Sequence, residues 1–214
     1  MKKLTSNQLA KITGVLYLLL IPLGILGIIY IPETLIIPGD IKTTISNIIA
    51  NETLFRISII SALLVQVVNI LVVLFLYKLL KPVNKDIAAL MVIFLLVAVP
   101  IAFINELNHV AVLQLLHSSN HKLVALFLDL HNGGIYIAQV FWGLWLLPMG
   151  YLVYKSVFLP KLIGILLMIG CFGYLADTSM YFLFPHLDIT VSEFTFVGEL
   201  IFPLWLLIKG VKNI

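Results

Sequence analysis

Six long apolar stretches dominate this chain, and few environments can accept stretches of that kind. They run over residues 9–31, 55–80, 87–115, 130–154, 162–184 and 194–208. A bilayer core about 30 Å thick is crossed by a helix of roughly 20 apolar residues. Inside hydrocarbon the backbone must hydrogen-bond to itself, so each stretch is expected to fold as a helix. Composition points the same way: 62% of the 214 residues are hydrophobic and 11% are charged, against about 25% charged in an ordinary soluble domain. So few polar residues cannot cover a water-soluble core. This excludes a soluble enzyme, a disordered chain and a nucleic-acid binder. The expectation is an all-α, polytopic membrane bundle of six transmembrane helices, forming one domain over residues 1–214. Its surroundings are the lipid bilayer, nucleic acid is not a partner, and oligomeric state is left open.

The basic residues set the orientation. Lys2, Lys3, Lys11, Lys78, Lys81, Lys85, Lys155, Lys161, Lys209 and Lys212 fall on one side of a six-span topology. Lys42, Arg56 and Lys122 fall on the other. Ten against three is a strong positive-inside bias, so both termini are expected in the cytoplasm and the chain in the cell membrane. Lys2 and Lys3 precede the first apolar run, as in a signal peptide. That run is longer than the usual 7–15 residues and lacks a small-residue cleavage site, so it is expected to stay as a membrane helix. The single cysteine, Cys171, has no intramolecular disulfide partner. In the first outer loop, 32–54, Pro38-Gly39-Asp40 reads as a turn ending in an N-cap. Ile41, Ile45, Ile48 and Ile49 then recur at helical spacing, which predicts a short amphipathic helix lying on the outer surface or capping the bundle.

Ionisable residues inside the apolar stretches carry the chemical information. A carboxylate at the centre of a membrane helix costs about 2.5–3.5 kcal/mol on insertion scales. Four qualify: Glu106, Asp129, Asp177 and Glu199. At 1.5 Å per residue from the inner boundary, Glu199 lies roughly 15 Å up, Asp177 roughly 24 Å and Glu106 roughly 30 Å. Asp129, Arg56, His109 and His131 fall near the outer rim. The inner half is nearly free of ionisable groups, which predicts a polar vestibule open to the outside.

Helical phase adds amides to that vestibule. Asp129, Asn132, Tyr136, Gln139 and Gly143 share one stripe of the fourth stretch, and Tyr174, Asp177, Thr178 and Tyr181 one of the fifth. Gln66 and Asn69 share a face of the second, and Asn105, Asn108 and His109 a face of the third. The plain alternative is that these stripes only make inter-helix hydrogen bonds, worth about 0.6 kcal/mol each. The candidate ligand contacts are therefore Arg56, Gln66, Asn69, Asn105, Asp129, Asn132, Gln139, Asp177 and Glu199. Pro203 removes the donor that the Glu199 carbonyl would normally meet. Glu106 and His109 lie one turn apart, and Asp129 and His131 add oxygen and nitrogen from the next helix. Carboxylate with imidazole suits zinc, so Glu106, His109, Asp129 and His131 are the candidate metal ligands. Asp129 and His131 differ by about 200° on a helix, so both can converge only if that segment starts non-helical.

Several motifs recur together in a recognisable order. They are Ile37-Pro38-Gly39-Asp40, Asn51-Glu52-Thr53-Leu54-Phe55-Arg56, Leu79-Leu80-Lys81-Pro82-Val83-Asn84, Leu128-Asp129-Leu130-His131, Gly173-Tyr174-Leu175-Ala176-Asp177 and Val197-Gly198-Glu199-Leu200. In these the chain resembles the domain-of-unknown-function family 4386 over nearly its whole length. The resemblance implies a small multi-pass membrane protein of bacterial type and implies no activity. Three functions stay open on the residues themselves. The first is binding of a small ligand or cation at an outward-facing acidic site. The second is a metal-dependent membrane hydrolase acting on a lipid-like substrate. The third is a structural or regulatory subunit without a ligand. No G-x-S-x-G motif and no phosphate-cradling glycine loop is present.

Overall fold

The computed structural model describes residues 4–187 and 189–211. Lys2, Lys3 and Lys212 of the charge count lie outside the described residues. Among those described, every regular element is helical. Helix α1 (Ser6–Gly24) opens on a capping box: Thr5 Oγ1 accepts the Gln8 N–H at 3.2 Å, and Gln8 Oε1 accepts the Thr5 N–H at 3.0 Å. A π-helical turn, Ile25–Tyr30, leads into α2 (Ile31–Leu35). The outer-loop helix predicted from its isoleucines is α3 (Ile41–Ala50), capped by Asp40 as expected. Then come α4 (Glu52–Leu80), α5 (Lys85–Leu115), α6 (His121–Leu144), α7 (Leu146–Lys155) and α8 (Lys161–Leu183). The last elements are α9 (Ser192–Thr195) and α10 (Val197–Ile208). Helix α6 begins well before the apolar stretch at 130, because the Asn120 side chain accepts the Leu123 N–H and starts the helix there.

Among the described residues, five helical stretches are long and apolar enough to cross a membrane: Ser6–Leu35, Glu52–Leu80, Lys85–Leu115, His121–Lys155 and Lys161–Leu183. The outward face of α4 shows why these helices suit lipid. Ile57, Ile60, Leu64, Val67, Leu71 and Leu74 are exposed along one stripe, while Ser58, Ser61, Gln66 and Asn69 are buried. That is the reverse of a helix in water. The sixth stretch behaves differently. Helix α10 has twelve residues, about 18 Å at 1.5 Å each, which is short of the hydrocarbon thickness.

The helices close into a ring. Helix α1 packs on α4, α4 on α5, α5 on α6 and α7, these two on α8, α8 on α10, and α10 back on α1. Some contacts are backbone-close. A Cβ on Gly27 would lie 2.6 Å from the Ala62 nitrogen, and one on Gly164 would lie 2.6 Å from the Gly150 carbonyl oxygen. Such small-residue seams let membrane helices approach closely. Gly24, three residues before Gly27, has nothing within 4 Å of where a Cβ would stand.

Inside the ring the core is layered. A large apolar cluster fills the end where the lysines gather, built from residues such as Leu76, Met91, Leu146, Met149, Leu167 and Phe202. A second, smaller cluster closes the other end, joining Ile31, Leu35, Ile45 and Ile48 to Phe55, Val112 and Val124. Between the two, along α4, α5, α6 and α8, lie the buried Gln66, Asn69, Asn105, Glu106, His109, His131, Gln139 and Asp177. On this flank α2, α3 and their apolar neighbours roof the polar layer.

Candidate functional site

The centre of the polar layer is a carboxylate between two imidazoles. Glu106 Oε2 lies 3.3 Å from His109 Nδ1, and Glu106 Oε1 lies 3.1 Å from His131 Nε2. One turn of α5 brings Glu106 and His109 together, as their spacing predicted. His131 arrives from α6 because that helix passes very close: a Cβ on Gly134 would overlap the Asn105 side chain. Asn105 donates to the His131 carbonyl at 2.9 Å, and Asn108 donates to Asn105 Oδ1 at 3.0 Å. The two imidazole rings stack, with centroids 3.4 Å apart and planes at 19°. Phe55 of α4 closes edge-on against His109 with centroids 4.9 Å apart. All three members are buried, His109 to 1% exposure. His109 Nε2 has no hydrogen-bond partner among the described residues. Their ligating atoms all lie within 4.8 Å of one another.

Of the four acids in the apolar stretches, Glu106 alone belongs to this group of possible ion ligands. Each carboxylate is accommodated separately. Arg56 is exposed at the rim and pairs with Glu52, its neighbour one turn back, at 2.6 Å. It therefore does not balance the buried acids. Asp129 and Asn132 are exposed on α6, and Asp129 is absent from the group that could hold an ion. The physical reason is the one the angles required: α6 is helical through 129–131, so Asp129 and His131 point about 200° apart. Asp177, 3% exposed, accepts the backbone N–H groups of Val191, at 2.5 Å, and Ser192, at 3.1 Å. It fixes the start of α9 from a neighbouring helix. Glu199 sits deeper in the ring and accepts the Tyr17 hydroxyl at 3.3 Å, with Tyr174 facing it from α8. Its other oxygen, Gln66 Oε1 and Trp142 Nε1 are buried without partners among the described residues.

Of the stripe on α6, Tyr136, Gln139 and Gly143 lie along α8. Tyr136 stacks on Tyr181 with centroids 4.0 Å apart, Gln139 Nε2 donates to the Tyr174 carbonyl at 3.3 Å, and Thr178 donates to the Tyr136 carbonyl at 3.2 Å. These are inter-helix hydrogen bonds, the plain alternative for Gln139. Three neighbours went unread in the sequence: Phe55, Tyr17 and Gly134. The first two are uncharged aromatics inside apolar runs and carry no polar signal. Glu52 was legible as a partner for Arg56, since the pair stands at i, i+4.

The fold and its buried polar layer define a helical, multi-pass membrane protein. The family described as "Domain of unknown function (DUF4386)" matches residues 12–210, and the chain belongs to that family. An uncharacterized protein of Archaeoglobus fulgidus is 34% identical over 155 residues, covering 72% of this chain and 85% of that relative. No solved structure matches.

Proposed function

We propose that this is a six-span protein of the cell membrane, with both termini cytoplasmic, whose outer half binds a small ligand or cation at Glu106, His109 and His131. The observation that carries the reading is a buried carboxylate held between two imidazoles, one of which has an unpartnered nitrogen. A buried polar group left unmatched costs about 1–3 kcal/mol, and buried polar sites in membrane helices mark ligand or ion sites. Orientation rests on lysines. Lys78, Lys81, Lys155 and Lys161 lie 5.2–5.9 Å over the rings of Phe75, Tyr77, Tyr151 and Tyr154. Aromatic rings and lysines of this kind anchor a bundle at the membrane–water boundary. In this reading the sixth crossing is made by α9 and α10 together. Access from outside runs down the α6–α8 flank, where Asp129 and Asn132 are exposed.

A second reading, a metal-dependent membrane hydrolase acting on a lipid-like substrate, is favoured by the number of donors. Three protein ligands leave the fourth position of a tetrahedral ion for water. Thermal melting against a panel of cations and small ammonium compounds tests the binding claim. A ligand at 100 times its Kd adds about 2.7 kcal/mol, a shift of several degrees. The expected result is at least one stabilising compound, whose effect is lost in Glu106→Gln. A flat panel contradicts the reading.

A further inference from the structure

We infer that the occupant of the Glu106–His109–His131 site is a divalent transition-metal ion, zinc being the best match. This rests on the reading of these residues as a cation site and narrows it.

Three features of the donor set choose among cations. Two of the three donors are imidazole nitrogens. Calcium and magnesium take oxygen ligands, and imidazole suits zinc and its neighbours. The spacing agrees in magnitude. Tetrahedral zinc with bonds of about 2.0–2.1 Å separates adjacent ligand atoms by about 3.3–3.4 Å. The carboxylate–imidazole separations are 3.3 Å at one Glu106 oxygen and 3.1 Å at the other, and the three residues' ligand atoms lie within 4.8 Å of one another, so a local side-chain rearrangement closes them on an ion. Finally, one carboxylate neutralises half the charge of a divalent ion, and the roof of Phe55, Val112 and Val124 keeps the surroundings of low polarity. A metal-bound hydroxide would complete neutrality there.

The stacked rings set a condition on loading. An imidazole lone pair lies in its ring plane, so two rings 3.4 Å apart and nearly parallel cannot both aim at one ion. One ring must turn. His109 loses no hydrogen bond at Nε2 by turning, because that atom is bonded to nothing among the described residues. Binding of His109, His131 and Glu106 to one ion therefore breaks the stack. Asn105 and Asn108 brace the α5–α6 contact and hold the two helices at the required separation.

The test uses the full chain purified in detergent without chelator. Elemental analysis should find about one metal ion per chain, removable by a strong chelator with a fall in melting temperature that zinc restores. Cobalt(II) added to the stripped protein should give the intense visible absorption of a tetrahedral site. Both signals should disappear in His109→Ala and in His131→Ala. If either variant fails to fold, His131→Gln and Glu106→Gln replace it, and loss of the cobalt band from a protein with an otherwise unchanged circular dichroism spectrum serves as the readout. Stabilisation by calcium or an ammonium compound, with no response to zinc or cobalt, overturns the metal and leaves the cation site. No response to any cation overturns both. Metal bound equally by wild type and all the variants overturns the assignment to these residues.

Discussion

Asp177 shows what a single buried carboxylate can do in this fold without any ligand. Its two oxygens accept two backbone N–H groups where the chain re-enters the bundle to begin α9. Both bonds are part-buried, so losing their acceptor leaves those donors poorly matched. Asp177→Ala should strand both, at about 1–3 kcal/mol each, and lower the melting temperature of the purified protein markedly. Asp177→Asn keeps one acceptor oxygen and should lose less. An alanine variant as stable as wild type would contradict this role. The sequence showed that Asp177 was buried and polar, because an acid inside an apolar run is conspicuous. It did not show the partners, since backbone amides carry no residue-type signal. The same holds at Glu199, whose donor Tyr17 lies far away in the chain. At Glu106 and His109 the sequence succeeded, because the two stand one helical turn apart and their meeting is local geometry. Asp129 failed for a local reason also: the helix starts at His121 and stays regular, so an acid two residues from His131 faces away from it.

Among the elements, α3 is the most clearly specified by its sequence and the most exposed to conditions. Asp40 Oδ2 accepts the Thr43 hydroxyl at 2.6 Å, and Oδ1 accepts the Thr43 N–H at 3.0 Å. The Thr43 hydroxyl, followed by the backbone N–H, holds the Asp40 carboxyl below its ordinary value of 3.8. The sign follows from that depression. The capping contribution is complete above the ordinary value and is lost as pH falls through the lowered one. The protection factors of the amides at the start of α3, exchange rates corrected for their intrinsic pH dependence, should therefore be unchanged from neutrality down to about pH 5 and fall only in stronger acid. Asp40→Asn keeps a good cap and should remove that acid dependence while preserving protection at neutral pH. Loss of protection already near pH 6 would contradict the assignment. Since Ile45 and Ile48 of α3 belong to the roof over the polar layer, fraying here also bears on access to His109. The short α10 was less legible than α3. Apart from Glu199 near its start its residues are apolar, and hydropathy cannot tell a full crossing from a helix that starts part-way across.

At the scale of the whole molecule, the ring of helices places two apolar clusters around a polar layer, and the claim is that this layer lies in the outer half of the membrane. The apolar runs made the bundle legible. They left the roof unread, because Phe55, Val112 and Val124 look like any other lipid-facing or core residue. The loop between α5 and α6 reports the side directly. His109 lies six residues from the end of α5 at Leu115, roughly 9 Å along the helix, so the side of that loop is the side of the site. Single cysteines at Ser119 and at Asn84, in a Cys171→Ala background, can be treated in intact cells with a membrane-impermeant thiol reagent. The account predicts labelling at 119 and protection at 84 until the membrane is opened. Labelling at 84 with protection at 119 would put the Glu106–His109–His131 site on the cytoplasmic side and contradict it.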